Sequence, residues 1–247
     1  IGFLDDYKKI KDKKGLSSKT KFTMQLLAGS IVAFILYLYP KFNTILYVPF
    51  FKDVSIDLGI FYLFWMVFII VGSSNAVNLT DGLDGLAIGP SLISTATFSI
   101  FAYVAGNFVL SKYLFIPYIE GSGEITVFLM ALLGGGLGFL WFNSFPAEMF
   151  MGDGGSLSIG AVLGLASIIT KQELVLAIVG GIFVIETLSV IVQVLYFRLT
   201  GGKRLFKMAP IHHHFEIQGV PEPKIVVRVW VISLLLSIVA LSTLKIR

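Results

Sequence analysis

The sequence contains no cysteine, and only 14% of it is charged. The first absence excludes disulfides, thiolate metal sites and cysteine nucleophiles, and it leaves the redox compartment unmarked. The second falls well short of the roughly 25% charged residues of an ordinary soluble domain. Hydrophobic residues make up 56% of 247 positions, and mean hydropathy is +0.87. A water-dispersed globule of this size could not enclose that much apolar surface. A disordered chain needs the opposite balance, low hydrophobicity and high charge. Histidine is scarce too, with its 3 copies in one run, His212, His213 and His214. No basic start followed by a short apolar run and a small-residue cleavage site is visible, so no secretory leader is expected.

What the chain does have is long apolar runs. Seven of them, near 23–39, 59–77, 86–106, 125–142, 155–170, 174–195 and 225–244, approach the ~20 residues that a helix needs to cross a bilayer core. Open sheets cannot cross lipid, because their edge amides and carbonyls would go unpaired. The expected fold is therefore all-α, one polytopic transmembrane bundle over residues 1–247. Residues 1–4 read as the tail of a further span. Segment 40–58, β-prone around Pro49, reads as a small hairpin or an interfacial segment, and aromatic 107–119 as interfacial.

Lysine and arginine give the orientation. Lys8, Lys9, Lys11, Lys13, Lys14, Lys19 and Lys21 precede the first span, and Arg198, Lys203, Arg204, Lys207 and Lys224 lie between the last two. An odd number of spans puts both groups on one side, which the positive-inside rule makes cytoplasmic. The net charge of +4 is then a topology signal. No basic face on a soluble module suggests nucleic-acid binding. Parity assigns segments 1–22, 78–85, 143–154 and 196–224 to the inside, and 40–58, 107–124, 171–173 and the tail 245–247 to the outside.

Four polar constellations fall on that inner side: LDDYKK at 4–9, NLTDGLDG at 78–85, FMGDGGS at 150–156 and APIHHHFE at 209–216. Each sits near a helix end, where side chains from different helices can converge. Asp5 and Asp6 read either as a helix-end or turn pair, or as adjacent carboxylates that bind metal or act as a base. Asn78, Asp81 and Asp84 repeat every third residue, which places three oxygen-bearing side chains on one face of a helix or its entrance. That suits a hard cation or a polar ligand, and equally an N-cap with first-turn acids. Asp153 lies among glycines just ahead of an apolar span. Glycines allow close backbone approach, and helix-start amides attract phosphate, so the carboxylate would need Mg²⁺ between itself and that phosphate; the bland reading is a flexible turn. Phe150 is an interfacial aromatic or a ring that stacks on a base. The histidine run lacks the spaced ligands of a zinc site and fits phosphate contact or proton transfer, or a solvated loop. The lysine run fits topology and also a cradle for a diphosphate or a polyanionic headgroup. Glu186, in mid-span, reads as a hydrogen-bonding structural residue.

These four motifs, in this order and followed by Arg228 and Trp230 in the last span, closely resemble the polyprenyl-phosphate N-acetylhexosamine-1-phosphate transferases. The triple histidine after Ala209-Pro210-Ile211 points to the muramoyl-pentapeptide branch. The resemblance implies transfer of phospho-N-acetylmuramoyl-pentapeptide from its UDP-linked donor to undecaprenyl phosphate at the inner face of the bacterial plasma membrane, giving lipid I and UMP. It implies Mg²⁺ held by Asp153, catalytic carboxylates at Asp5 and Asp6, and an essential histidine at His212. Asn78, Asp81 and Asp84 would line the site, with His213 and His214 beside it. Lys13, Asn143 and Phe150 would surround uracil, and Lys21 would lie near phosphate or sugar. Membrane lipid and a second copy of the chain, as a homodimer, are the further partners implied. Family members usually carry about ten spans, each of ~20 residues, so N-terminal spans are expected ahead of Ile1. A related UDP-N-acetylhexosamine transferase is the nearest alternative, which the triple histidine disfavours. A transporter is the distant one; its sites would lie near the midplane at broken helices, often with internal repeats, whereas here the acids cluster at one face and no repeat is seen.

Overall fold

The computed structural model describes residues 1–51 and 54–245, with the Asp12 side chain left out; the end of the tail 245–247 lies outside the described residues. Helices dominate: α1 (Gly2–Asp12), α2 (Ser18–Tyr37), α3 (Phe61–Thr80), α4 (Ile88–Gly106), α5 (Phe108–Leu114), α6 (Ser122–Asn143), α7 (Gly152–Ile169), α8 (Glu173–Val179), α9 (Gly181–Leu199), α10 (Ile211–Ile217) and α11 (Glu222–Ser242). Among the described residues, 7 of these (α2, α3, α4, α6, α7, α9 and α11) are long and apolar enough to cross a membrane. The chain is a multi-pass, all-α membrane protein. Its small sheet is a hairpin, β1 (Ile45–Tyr47) antiparallel to β2 (Ser55–Asp57), within the segment whose β-prone residues suggested one.

Three boundaries differ from the sequence expectation. α2 starts at Ser18 because Ser17 caps it, its Oγ accepting from the Thr20 amide at 3.1 Å; the helix therefore carries Lys19 and Lys21 before it becomes apolar. α7 starts at Gly152, so Asp153 lies in its first turn. The stretch 174–195 is not one helix. It breaks at Gly180, and a Cβ on Gly181 would lie 2.8 Å from Leu236 Cδ1, so the double glycine marks a bend packed tightly on α11. Residues 2–4 are the first turn of α1, which runs on through Asp5 and Asp6.

Small residues let the helices meet without a strong hydrophobic drive in lipid. Gly160 and Gly164 of α7 press on α3: added Cβ atoms would sit 2.4 Å from the Ser73 carbonyl oxygen and 2.4 Å from Ser73 Oγ. Ser74 Oγ donates to the Leu157 carbonyl at 2.8 Å across the same seam. α4 is the central helix, with 78% of its span buried. Three of its hydroxyls donate to carbonyls one turn back, Ser91 to Ala87, Thr95 to Ser91 and Ser99 to Thr95, and Thr97 also meets Ser237 of α11. Phe98 and Phe101 of α4 join Leu129, Leu163, Val175, Val179 and Ala240 in one apolar cluster, and Tyr62, Met66, Ala33 and Ile168 form a second. By chain direction both clusters lie toward the hairpin end. The opposite end of the bundle, where α3 finishes and α7 begins, carries the polar motifs.

Candidate active site

α1 brings two adjacent carboxylates to the start of α7 and turns them in different directions. Asp5 is fully buried. It accepts from the Leu16 amide at 2.6 Å, and its other oxygen lies 2.7 Å from Lys9 Nζ and 3.2 Å from Lys21 Nζ. Asp6 is more open. It accepts the Gly154 amide at 2.9 Å, at the positive end of α7. Asp153 meets Lys21 Nζ at 2.7 Å, Lys9 Nζ at 3.2 Å and Asn78 Nδ2 at 3.3 Å. The three carboxylates offer oxygens within 4.8 Å of one another. This crowding depends on the absence of side chains: a Cβ on Gly2 would lie 2.2 Å from the Asp153 carbonyl oxygen, and Gly152 has φ +62° beside Asp6.

Two opposing effects act on Asp5. Burial pushes its pKa up, but hydrogen bonds from Lys9, the Leu16 amide and Lys21 outweigh it and hold the carboxyl well below the usual carboxylate range. Lys9, bonded to Asp5 and drawn by Asp153, is held above the ordinary lysine value despite its own partial burial. Asp81 behaves oppositely. Burial and then the nearby Asp153 charge push it up to about 6.

A cavity of ≈ 370 Å³ opens beside this cluster, lined by Asn78, Asp81, Asp84, Asn143, Phe150 and Asp153 among others. Phe150 is 77% exposed at its mouth. The NxxDxxD pattern does not form one helical face, because α3 ends at Thr80. Asn78 lies in its last turn and also donates to Ser156 Oγ at 2.9 Å. Asp81 is the C-cap, and Asp84 lies in the turn beyond, accepting the Ala147 amide at 2.9 Å. The first-turn capping alternative is thereby excluded. Asn143 lines the cavity, but its amide is engaged on both ends, accepting from Gly85 N–H at 3.1 Å and donating to the Met149 carbonyl at 2.7 Å.

The histidines separate. His212 is buried, its Nδ1 3.0 Å from Glu186 Oε2, and its Nε2 has no partner among the described residues. A Cβ on Gly82, a cavity residue, would sit 2.3 Å from that Nε2, so His212 lies directly beneath the cavity wall. His213 pairs with Glu216 at 2.8 Å. His214 accepts the Lys207 amide at 3.0 Å and packs edge-on against Phe206. Neither lines the cavity. Lys13, the left-handed C-cap of α1, is exposed and also outside the lining.

Several residues of this arrangement were given no individual role by the sequence. Lys9 was one lysine in a topological run; only the helical register of α1, which sets it three and four residues after Asp6 and Asp5, reveals its role. Glu186 reads as a lone buried acid until His212 lies beside it. Glu222, accepting the Asp84 amide at 2.7 Å, and Trp230, donating to the Gly85 carbonyl at 3.0 Å, hold the 81–87 turn from α11.

Residues 1–171 match the model of the family described as Glycosyl transferase family 4. The chain is 59% identical over 247 residues to a phospho-N-acetylmuramoyl-pentapeptide-transferase of Aquifex aeolicus, covering 100% of this chain and 69% of that protein. Proteins of the same name from Hydrogenobaculum and Desulfovibrio desulfuricans are 56% and 58% identical, again across 100% of this chain, and 69% and 70% of their own lengths are covered.

Proposed function

We propose, for a chain that belongs to glycosyl transferase family 4, that this cavity transfers phospho-N-acetylmuramoyl-pentapeptide from its UDP-linked donor to undecaprenyl phosphate, releasing UMP and leaving lipid I. The chain is a sugar-phosphate transferase. The observation that carries the fuller reading is the convergence of Asp5, Asp6 and Asp153 with Lys9 and Lys21 at one end of a membrane bundle. A soluble nucleotide and a membrane lipid can meet only at such an interface. The positive-inside distribution supports the cytoplasmic side, and the reading places it at the bacterial plasma membrane.

In the reaction an acceptor phosphate oxygen attacks the sugar-bearing phosphorus of the donor. The bond from that phosphorus to the oxygen of UMP breaks, and one phosphoanhydride replaces another. Alignment and charge neutralisation are then the main requirements. Lys9 and Lys21, fixed as cations by the carboxylates, supply positive charge to the diphosphate. Phe150 presents an open ring to uracil, and Asn143 shapes the loop beneath it. Asp6 is the more accessible proton acceptor for the lipid phosphate: its side chain is 34% exposed, whereas Asp5 is buried and held by Leu16, Lys9 and Lys21. The same engagement disfavours a phospho-aspartyl intermediate on Asp5.

Mg²⁺ fits the donor set. Carboxylate oxygens are hard ligands, and Asp153, which lines the cavity, would hold the ion with Asp6 nearby. When bound, it would neutralise and orient the diphosphate. His212, oriented by Glu186, presents its Nε2 beneath Gly82. A homodimer belongs to the same reading and can be counted by sedimentation in detergent.

The test is a labelled-donor assay with the full-length protein in detergent, with undecaprenyl phosphate and Mg²⁺. Lipid-linked product that requires both is expected. A panel of UDP-sugars separates this reading from the related hexosamine transferases: preference for UDP-N-acetylglucosamine would overturn the muramoyl assignment. UMP exchange without acceptor would restore the covalent route.

A further inference from the structure

Away from the carboxylate cluster, two buried polar side chains are tied to each other. Glu186 of α9 is 2% exposed, and His212, in the first turn of α10, is buried as deeply. An ionisable side chain inside an apolar span is costly unless it is paired. Glu186 Oε2 lies 3.0 Å from His212 Nδ1 and 3.5 Å from the His212 amide nitrogen. The nearby Ser189 hydroxyl does not compete for it, since it donates to the Glu186 backbone carbonyl at 2.6 Å. A carboxylate has no proton to give. The ring must therefore donate, which keeps a proton on Nδ1 and leaves Nε2 as the atom that gains or releases one.

That Nε2 is enclosed and has no partner among the described residues, and a buried polar atom is costly to leave unbonded. Gly82 stands over it. A Cβ there would fall 2.3 Å from Nε2 and 3.1 Å from Cε1, so any other residue would drive the ring from its place. Gly82 also lines the cavity of Asp81, Phe150 and Asp153. The ring is thus one backbone away from the cavity, behind a residue with no side chain. The turn that carries Gly82 is fastened at its far end, Asp84 by Glu222 and Gly85 by Trp230, and its near end needs only a small shift to uncover Nε2. His213 and His214 share none of this, being paired with Glu216 and with the Lys207 amide. We propose that Glu186 is a positioning residue: it fixes the Nδ1 proton of His212, so that Nε2 is aimed at the Gly82 edge of the cavity and makes its missing hydrogen bond there with a polar group of the bound donor. The identity of that donor rests on the transfer reading above; the tautomer and the carboxylate that sets it do not.

The experiment compares the full-length protein in detergent, labelled with nitrogen-15 histidine, with Glu186→Gln, His212→Asn and the double variant. The His212 signals are those that the His212→Asn spectrum lacks. In the wild type, Nδ1 should be the proton-bearing nitrogen with or without the UDP-linked donor, and the Nε2 signal should shift when donor is added. Glu186→Gln puts an amide donor beside the ring, and the proton should spread to Nε2. In the labelled-donor assay, Glu186→Gln should lower turnover per folded molecule about 10–100-fold, the loss that commonly follows removal of a side chain that orients a working imidazole. Over long incubations in the His212→Asn background, the same substitution should cost nothing further. A merely structural role for Glu186 would lower turnover by the same factor in both backgrounds, and that result would overturn the proposal. So would a wild-type ring with its only proton on Nε2, or an Nε2 signal indifferent to the donor; the wild-type spectra decide both points even if Glu186→Gln does not fold. A wild type that makes no lipid-linked product would sink the transfer reading, whereas the Nδ1 assignment and its loss in Glu186→Gln would stand.

Discussion

The two ends of the bundle both gather charged groups, and they use them differently. At the motif end, Asp5, Asp6, Asp153, Lys9 and Lys21 pair at 2.7 to 3.3 Å beside an open cavity. At the hairpin end, Lys171, Tyr62 and Glu173 are sealed, all three at or below 3% exposure. Lys171 Nζ donates to the Asn43 carbonyl at 2.5 Å and to Tyr62 Oη at 3.0 Å, and lies over the Phe42 and Tyr62 rings; Tyr62 in turn donates to Glu173. Burial pulls Lys171 down to about 7 and pushes Glu173 up to about 8. The sealed group joins α3, the α7–α8 connection and the base of the hairpin; a cavity of ≈ 440 Å³ reaches Lys171, and Glu173 is not among its lining residues. Charge at the motif end stays mutually compensated and reachable, which suits chemistry on a diphosphate. Charge at the hairpin end is suppressed, which suits a structural joint.

The sharpest way to break this contrast is to remove one group from each end. Asp153→Asn should lower transferase turnover by about 10²–10³-fold, the usual size of a lost electrostatic contact in the transition state. Tm should stay close to wild type, because the cavity is open and water replaces the lost pairing. Tyr62→Phe should do the reverse. It strands Lys171 and Glu173 without the hydroxyl between them, at about 1–3 kcal/mol for buried groups left unpaired, and turnover per folded molecule should hold. Urea or thermal unfolding alongside the donor assay reads both quantities. If Asp153→Asn unfolded the protein or Tyr62→Phe abolished turnover, the division of labour between the ends would be wrong.

Much of this contrast was readable from composition and parity. Apolar runs located the seven spans, and counting them put all four polar motifs at one end. The structure brings Asp5, Asp6 and Asp153 together accordingly. What escaped had local causes. Spacing could not show that α3 stops at Thr80, because the turn is held from outside by Glu222, Trp230 and Asn143. The apolar run 174–195 hid a break that Gly180 and Gly181 only hint at, since packing on Leu236 decides it. The engagement of His214 and Asn143 within loops is a tertiary fact with no periodic signature, and so is the Glu186–His212 pair. Lys171 and Glu173 fell in a short connection that looked like exposed loop, although the fold buries both.

A subtler separation concerns Asp81, whose carboxyl is pushed up to about 6 by burial and by Asp153. Its folded value lies above the ordinary 3.8, so the folded state binds the proton more tightly than the unfolded chain. Below pH 4 both states are protonated and Asp81 costs nothing. As pH rises from about 4 to 6 stability falls, and above 6 the penalty is complete. Asp81→Asn should therefore raise Tm by a few degrees at pH 7.5 and leave it unchanged at pH 4. An equal shift at both pH values would mean that packing, and not ionisation, dominates the site.

The smallest effect belongs to a charge pair that serves neither end's purpose. Lys41 and Glu120 are bonded across the hairpin-end surface, but their side chains are 63% and 62% exposed. Water screens such a pair, and ordering two long side chains offsets most of its Coulomb energy. Lys41→Ala should leave Tm and turnover within measurement error, and raising the salt concentration should not distinguish it from wild type. A clear destabilisation would show that proximity alone sets the worth of a charge here. An unchanged Tm, set against the loss expected for Tyr62→Phe in the sealed group at the same end, would place the difference in burial.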